Sequence, residues 1–247
     1  FYQKYLDKGL SPKEAAYASL VEGMDKSLGD LMDYLEKYQL ADNTIILFMS
    51  DNGGLSAEPA WRDGELHTQN APLNSGKGSA YEGGIREPMI VKWPGVTAAG
   101  TICEKPLIIE DFYPTILEMA GIKQYKTVQK IDGVSFMPLL NHTGDPSEGR
   151  EFYWNFPNLW GNTGPGIGAT ATIRKGDWKL IYYYESGRKE LFNIREDIGE
   201  SRNCEEQYPK LVKKLSKRLG NYLRKVKAQR PAYKATASPV PWPDEVR

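Results

Sequence analysis

The chain has 247 residues, of which 40% are hydrophobic and 26% are charged, a composition typical of a globular protein. Lysine and arginine together number 32, as do aspartate and glutamate, so the net charge gives no support to nucleic-acid binding. No apolar run approaches the roughly 20 residues that span a bilayer, and the sequence therefore predicts no membrane span.

The first predicted element is a long amphipathic helix. Ser11 and Glu14 form a capping-box pattern with Pro12 at the first helical position, which is typical of a helix start. Apolar residues then recur every three or four positions as far as Gln39, so they form one apolar stripe on the helix. The stripe consists of Ala16, Leu20, Met24, Leu28, Leu31 and Leu35.

A strand is predicted after this helix. Residues 44–49 form a continuous apolar run, which is typical of a central strand in a parallel sheet covered on both faces. Helix, short turn and strand in this order favour an α/β fold. Residues 89–93 are predicted as a second strand. Residues 109–120 are predicted as a helix that ends at Gly121, a common C-cap residue.

The pattern changes after residue 140. Turn-forming residues at 141–150 indicate a domain boundary, so we predict one unit at 1–140 and a second at 141–247. Short strands separated by glycine-containing turns predict a small antiparallel sheet in the second unit. These strands are predicted at 151–154, 170–174, 178–183 and 190–192. A final helix has a basic face, which we interpret as solvated because acidic residues elsewhere balance its charge.

Asp51 and Asn52, in the segment SDNGG, are the candidate metal ligands. They directly follow the predicted buried strand, and ligands of open α/β sheets bind at this end of the strands. A carboxylate and an amide carbonyl suit a hard cation such as Ca²⁺, but an ordinary turn is the alternative. Because Ca²⁺ takes about 6–8 oxygen ligands, either residues outside this chain complete the site or there is no site.

Residues 53–87 are polar and rich in glycine, and a loop this long is usually functional. Lys77 is flanked by glycines and could approach an anion closely, although an ordinary exposed lysine is the alternative. The segment does not match the phosphate-loop pattern, since no Ser or Thr follows the lysine. Histidine side chains ordinarily titrate near neutral pH, so His67 is a candidate general acid or substrate contact. Glu82 and Arg86 are predicted to brace the loop through an ion pair.

Two cysteines, Cys103 and Cys204, are far apart in the sequence and belong to no CxxC or Cys/His cluster. They could form a disulfide bond or both be buried thiols, and the second interpretation is favoured. The chain begins with Phe1, and its opening lacks the features of a signal peptide, so we expect a mature or trimmed chain.

The segments FMSDNGG and NAPLNSGKGSAYEGGIREPMIVKWPG resemble the formylglycine-dependent type I sulfatases of the alkaline phosphatase superfamily. In that family an SDNGG-type segment ends a central strand, and a GKG-x-x-YEGG-x-R-x-P segment follows within a few tens of residues. The later segments DFYPT, IDGVSFMPLL and GDWKLIYY also resemble parts of these enzymes. The resemblance implies an alkaline-phosphatase-like α/β sandwich with a mostly parallel central sheet, followed by a small C-terminal subdomain of antiparallel sheet and one helix.

The resemblance also implies roles for individual residues. Asp51 and Asn52 correspond to two ligands of the family's Ca²⁺, and Lys77 corresponds to the catalytic lysine that contacts the sulfate oxygens. The family's catalytic histidines correspond to positions other than His67. The formylglycine nucleophile arises within a C-x-[PA]-S-R motif, and neither cysteine of this chain lies in one. We therefore expect formylglycine, and an acidic pair that completes the metal site, in a missing N-terminal part upstream of Phe1.

The activity implied by the resemblance is hydrolysis of a sulfate ester on a small molecule or a sugar, in an extracytoplasmic compartment. This chain alone is expected to be inactive, because it lacks the nucleophile. One alternative is a phosphate mono- or diester hydrolase of the same superfamily, although such enzymes often use two transition metals and more histidine ligands. Another alternative is a catalytically inert sulfatase fragment.

Overall fold

The computed structural model describes residues 1–55, 68–159 and 164–246. The helices are α1 (Tyr2–Leu6), α2 (Pro12–Lys37), α3 (Glu82–Ile85), α4 (Phe112–Met119), α5 (Met137–Leu140) and α6 (Pro209–Lys225). The strands are β1 (Ile46–Met49), β2 (Met89–Lys92), β3 (Glu151–Phe156), β4 (Thr170–Lys175), β5 (Trp178–Tyr183) and β6 (Lys189–Asn193). No helix within these ranges is long and apolar enough to cross a membrane.

Helix α2 begins where the sequence predicts. The amide of Glu14 donates a hydrogen bond to the Ser11 hydroxyl at 3.4 Å, and the amide of Ser11 donates to the Glu14 carboxylate at 2.9 Å. Both halves of the capping box are therefore formed, and they satisfy two amides that the helix itself cannot pair.

The apolar stripe of α2 is largely uncovered in this chain. Leu20 is 73% exposed, Met24 is 49% exposed and Leu31 is 52% exposed. The structure describes α2 over its whole length, and Ala15, which lies outside the stripe, is its one buried residue. The predicted helix is thus confirmed, but the described part of the chain does not supply the surface on which its stripe would pack.

Strand β1 pairs with β2, and the two strands are antiparallel, with Ile46 opposite Lys92 and Met49 opposite Met89. All four residues of β1 are only partly buried. This pairing corrects the prediction of a fully buried strand with parallel neighbours, as far as the described residues extend. A continuous apolar run indicates that both faces of a strand are apolar. It does not indicate whether the neighbouring strand is parallel or antiparallel.

The C-terminal sheet, β3 to β6, has the strand order β3-β4-β5-β6 and is antiparallel throughout. Its strands lie close to the predicted positions. Gly176, with φ of +56°, makes the turn between β4 and β5, and Gly187, with φ of +73°, lies in the turn between β5 and β6. Both turns were predicted from the glycines, which adopt positive φ readily.

The two faces of the C-terminal sheet bury different partners, because side chains alternate along each strand. One cluster joins the sheet to α6 and includes Ile173, Leu180, Leu191, Leu215, Leu219 and Leu223. The other cluster joins the opposite face to the segment before α3 and includes Ala80, Tyr81, Ile181, Tyr183 and Phe192. The sheet is therefore a platform between α6 and a segment of the first predicted unit.

A buried ion pair crosses the predicted domain boundary. The guanidinium of Arg150 donates two hydrogen bonds to the carboxylate of Asp111, at 2.7 and 2.8 Å. Asp111 is fully buried, and it also accepts hydrogen bonds from the amides of Ile108 and Val134. These contacts join the start of α4 to the residue before β3, while the division at residue 140 stays a prediction.

Both cysteines are free thiols. Cys204 is buried, as the favoured interpretation of the sequence requires, whereas Cys103 is exposed and contradicts it. Cys103 lies in the connection between β2 and α4, in a stretch, residues 101–108, that forms no helix or strand. Residue type alone did not distinguish the two positions.

Candidate functional site

Asp51 and Asn52 lie at the carboxyl end of β1. Asp51 is exposed and Asn52 is partly buried, and neither side chain hydrogen-bonds to a described residue. The hydroxyl of Ser50 donates a hydrogen bond to the Asn52 carbonyl at 2.9 Å, which closes a tight turn at the end of the strand. The carboxylate and amide oxygens of the pair are therefore not engaged by these residues, and oxygen is the ligand that Ca²⁺ requires.

The SDNGG and YEGG segments touch through their glycines. The amide of Gly53 donates to the Gly84 carbonyl at 3.4 Å, and a Cβ atom on Gly53 would lie 1.8 Å from the Gly83 carbonyl oxygen. A Cβ atom on Gly83 would lie 2.2 Å from the Asn74 carbonyl oxygen. No side chain fits at either position, so glycine is required for this close approach of backbones.

Lys77 belongs to the same arrangement. Its amide donates a hydrogen bond to the Gly54 carbonyl at 3.0 Å, and its side chain is partly buried. Ser75 and Gly78 on either side have φ of +62° and +89°, so the backbone turns sharply around the lysine. We call residues 50–55 and 68–79 the site loops, and they bring the predicted sulfate-binding lysine beside the segment of the predicted metal ligands.

Asn70 joins the site loops, and the sequence analysis missed it. Its Oδ1 accepts a hydrogen bond from the Gly54 amide at 3.0 Å, and its Nδ2 donates to the Gly54 carbonyl at 3.0 Å. The same Nδ2 donates to the Ser75 carbonyl at 2.9 Å. One side chain thus satisfies both backbone groups of Gly54, as a neighbouring strand would. In the sequence, Asn70 appears only as one more turn-forming residue.

A cavity of about 280 Å³ opens beside Asn52. Its lining includes Tyr17, Asn52, Asn70, Arg86 and Glu87. One carboxylate oxygen of Glu87 is buried and accepts no hydrogen bond from a described residue. Burial, and then the negative charge of Asp51, raise the pKa of Glu87 to about 7. The carboxyl groups of Asp51 and Glu87 thus disfavour each other's charged form at this end of β1, and a cation bound between them would favour both charged forms.

A complete metal site is not formed by the described residues. Within them, no group of three or more His, Cys, Asp or Glu side chains is placed to hold a metal ion. Asp51 and Asn52 supply only oxygen ligands, which fit Ca²⁺ better than a transition metal. Their role as ligands stays a prediction. His67 lies outside the described residues, and its role also stays a prediction.

A buried ionic cluster lies under the YEGG segment. The Nζ atom of Lys179 is 2.9 Å from Glu82 Oε1 and 2.8 Å from Glu200 Oε1. Burial raises the pKa of the Glu200 carboxyl, and the charge of Lys179 opposes this shift. Arg86, the predicted partner of Glu82, lies 3.7 Å from it and is more exposed. The predicted ion pair is confirmed, but the main partner of Glu82 is a lysine from the C-terminal sheet.

The chain matches two family models. The model described as "Sulfatase" matches residues 3–122, and the model described as "N-sulphoglucosamine sulphohydrolase, C-terminal" matches residues 76–227. A curated sulfatase from Formosa agariphila is 31% identical, and the match covers 96% of this chain and 45% of the relative. The human N-acetylgalactosamine-6-sulfatase is 30% identical, with 61% of this chain and 31% of the relative covered.

Solved structures show the same relationship. Ps i-CgsB in complex with k-i-k-neocarrahexaose has a TM-score of 0.73 and 30% identity, over 91% of this chain and 46% of that one. BT4656 in complex with D-glucosamine-2-N,6-O-disulfate has a TM-score of 0.64 and 26% identity, over 84% of this chain and 39% of that one. The chain therefore spans less than half the length of these relatives. The predicted alkaline-phosphatase-like α/β class is confirmed. The chain belongs to the sulfatase family.

Proposed function

We propose that the protein hydrolyses a sulfate ester on a carbohydrate. In this proposal Asp51 and Asn52 hold Ca²⁺, and Lys77 binds the sulfate oxygens. The observation that carries the proposal is the hydrogen bond of 3.0 Å from the Lys77 amide to the Gly54 carbonyl, which keeps the lysine loop beside the segment of the two metal ligands. Family membership supports the reaction class.

The residues of this chain act mainly through charge and position. A bound Ca²⁺ supplies positive charge that stabilises the negative charge on the sulfate oxygens. Lys77 adds a second positive charge as a compact ammonium group, which suits a sulfate oxygen. Tight packing of Gly53 against the Gly83 carbonyl and the bridging amide of Asn70 hold the site loops in place, so little reorganisation is needed when the substrate binds.

A sulfated carbohydrate is the proposed substrate class because of the relatives that match most of this chain. One of them, named N-acetylglucosamine-6-O-sulfatase, from Bacteroides thetaiotaomicron, is 29% identical over 89% of the chain. The human steryl-sulfatase is 35% identical, but its match covers only 61% of the chain. The match to the N-acetylglucosamine-6-O-sulfatase extends over a larger share of the chain than the match to the steryl-sulfatase, so we expect a sugar rather than a sterol. An extracytoplasmic location is part of this proposal.

The formylglycine nucleophile and the remaining acidic metal ligands are proposed to lie in a further, N-terminal part of the same protein. The chain spans 45% of the Formosa agariphila relative, which leaves room for such a part. The uncovered stripe of α2 also supports it, because exposed apolar residues along one helix face mark a surface that another segment covers. On this proposal the chain alone does not turn over substrate.

The test is Asp51→Ala in the full-length protein. We expect turnover of an aryl sulfate to fall on the order of 10³-fold, because the metal loses a charged ligand. Calorimetric titration with Ca²⁺ should show weaker binding in the same variant. Asp33→Ala, which changes an exposed aspartate of α2, is the matched control and should behave like the wild type. Unchanged turnover in Asp51→Ala would refute the metal assignment.

The same assay separates the proposal from a phosphoesterase. The full-length protein should cleave the aryl sulfate faster than the matching aryl phosphate, and metal analysis should find calcium. Two transition metals per chain, with faster cleavage of the phosphate, would instead support the alternative hydrolase.

A further inference from the structure

Strand β5 places a lysine on the sheet face that meets the first predicted unit. Because side chains alternate along a strand, Lys179 lies on the same side as Ile181 and Tyr183, which pack against Tyr81. Lys179 is 0% exposed, and lysine is almost never fully buried unless it is paired. Its position therefore depends on specific partners.

Two carboxylates hold the Lys179 ammonium group, those of Glu82 at 2.9 Å and Glu200 at 2.8 Å. The carboxylate of Glu200 also accepts a hydrogen bond from the Glu82 amide. Glu82 is thus held through its side chain and its main chain at once. Arg174 and Arg86 lie 3.6 and 3.7 Å from Glu82, but Lys179 is the fully buried cation of the cluster and the one that contacts both carboxylates. Loss of one partner would leave a buried charge uncompensated.

One path leads from this cluster to the loop of Lys77. Gly83 follows Glu82 directly, and its amide donates to the Asn74 carbonyl at 3.0 Å. A Cβ atom on Gly83 would lie 2.4 Å from the Ser75 carbonyl oxygen, so the two backbones are in close contact. Since Asn74 and Ser75 lead directly into the lysine segment, a shift of Glu82 would displace that segment.

A second path leads to the predicted metal ligands. The carbonyl of Gly84 accepts a hydrogen bond from the Gly53 amide at 3.4 Å, and Gly53 directly follows Asn52. A Cβ atom on Gly53 would lie 1.8 Å from the Gly83 carbonyl oxygen, so these two backbones are also in close contact. The start of α3 therefore supports both site loops through backbone contacts.

We infer that Lys179 is a positioning residue: by clamping the start of α3, it fixes the loops that carry Lys77 and Asn52. This role rests on the proposed sulfatase function, which gives those loops their task. In both paths, Lys179 acts on Lys77 and Asn52 through the backbone of α3 and not by direct contact. A displacement of about 1 Å at a catalytic group can slow a reaction as much as about 10²-fold, so such a clamp affects the rate.

The experiment compares Lys179→Met with Arg150→Met in the full-length protein. Each variant breaks a buried ion pair, but Arg150 pairs with Asp111, outside the clamp. We expect Lys179→Met to lower kcat for an aryl sulfate about 10- to 100-fold. We also expect Arg150→Met to keep the wild-type kcat, even though its melting temperature falls. A similar loss of kcat in both variants would show a general effect of instability and would overturn the inference.

Amide hydrogen exchange provides a readout that does not depend on activity. The amides of Gly53 and Gly83 donate the hydrogen bonds that join α3 to the site loops, and the amide of Lys77 donates the one that joins the two loops to each other. Their exchange should become at least about tenfold faster in Lys179→Met, because local opening exposes them, and should stay at the wild-type rate in Arg150→Met. Wild-type exchange in a folded Lys179→Met would overturn the inference.

A double variant, Lys179→Met with Glu200→Gln, removes one charge of each sign and covers the case in which Lys179→Met does not fold. It should regain thermal stability, because no buried carboxylate is left unbalanced, and still show low kcat and fast exchange. Recovery of the wild-type kcat and exchange rates would show that Lys179 only compensates the buried charge of Glu200, and it would overturn the inference. If the wild-type protein cleaves no sulfate ester, the proposed function fails, and the exchange rates alone decide whether the clamp exists.

Discussion

The two parts of the chain bury their apolar side chains to different extents. Between the C-terminal sheet and α6, Leu180 and Leu219 are fully buried in one closed cluster. In the first 140 residues, Leu20 of α2 and Ile90 of β2 are mostly exposed. The predicted metal and sulfate ligands all belong to this more open part, whereas the residues that anchor α3 come from the closed part.

The open part thus carries the predicted ligands, whereas the closed part supplies residues that hold α3 in place. A closed core can hold a sheet rigid without any other segment, and the C-terminal sheet offers its second face to the segment before α3. An exposed apolar stripe, by contrast, marks a surface where another segment binds. We therefore expect the C-terminal core to determine the stability of this chain, and the first part to depend on residues beyond it for its function.

The largest effect is expected for Leu219→Ala, which opens a cavity between α6 and the C-terminal sheet. Because Leu219 is fully buried, the free energy of unfolding of the 247-residue chain should fall by about 2–5 kcal/mol. Urea unfolding followed by circular dichroism measures this change. Leu219→Met keeps the volume and should cost less than about 1.5 kcal/mol. A loss below that value for the alanine variant would show that this cluster is not a closed core.

An intermediate effect is expected for Gly83→Ala, where α3 packs against the loop of Lys77 within the open part. The added Cβ atom would lie 2.2 Å from the Asn74 carbonyl oxygen, so the loops must separate. We expect a loss of about 1–3 kcal/mol in the free energy of unfolding, measured with urea. Gly23→Ala is the control, since nothing lies within 4 Å of its added Cβ atom. In the middle of α2 it should stabilise the chain by about 0.5–1 kcal/mol. Equal effects of both variants would contradict the close contact.

Features that depend on neighbouring residues could be predicted from the sequence. The capping box at Ser11 and the turn at Gly176 each arise from a few consecutive residues, and both are confirmed. The direction of the strand beside β1 and the coverage of the α2 stripe depend on segments far away in the sequence. No local pattern contains that information. The predicted parallel neighbour of β1 therefore needed correction, and the question of what covers the α2 stripe remained open.

In the candidate site, too, short motifs predict some residues, whereas contacts between segments far apart in the sequence could not be predicted. Asp51, Asn52 and Lys77 follow from short motifs, and the structure brings their loops together. The clamp was missed because a lysine within a strand is ordinarily expected to be exposed. Its partner Glu82 lies 97 residues away in the sequence, so only the fold reveals that the two side chains meet.

The smallest effect is expected for Leu20→Ser on the uncovered stripe of α2. Leu20 is exposed in this chain, so its side chain has little contact to lose, and the free energy of unfolding should change by no more than about 0.5 kcal/mol. Asp33→Ser, at an exposed position of α2 outside the stripe, is the matched control and should give a similar value.

The same Leu20→Ser substitution in the full-length protein sharpens the comparison. If the proposed N-terminal part covers the stripe, the substitution removes buried apolar surface there and places a hydroxyl in an apolar contact. The loss should then reach about 2–5 kcal/mol, as for other large-to-small changes at buried positions, while Asp33→Ser should remain near zero. A large loss already in the 247-residue chain would show that the stripe is covered within it. Equal, small losses in both proteins would show that no segment covers this face of α2. Its apolar residues would then be exposed in the full-length protein as well.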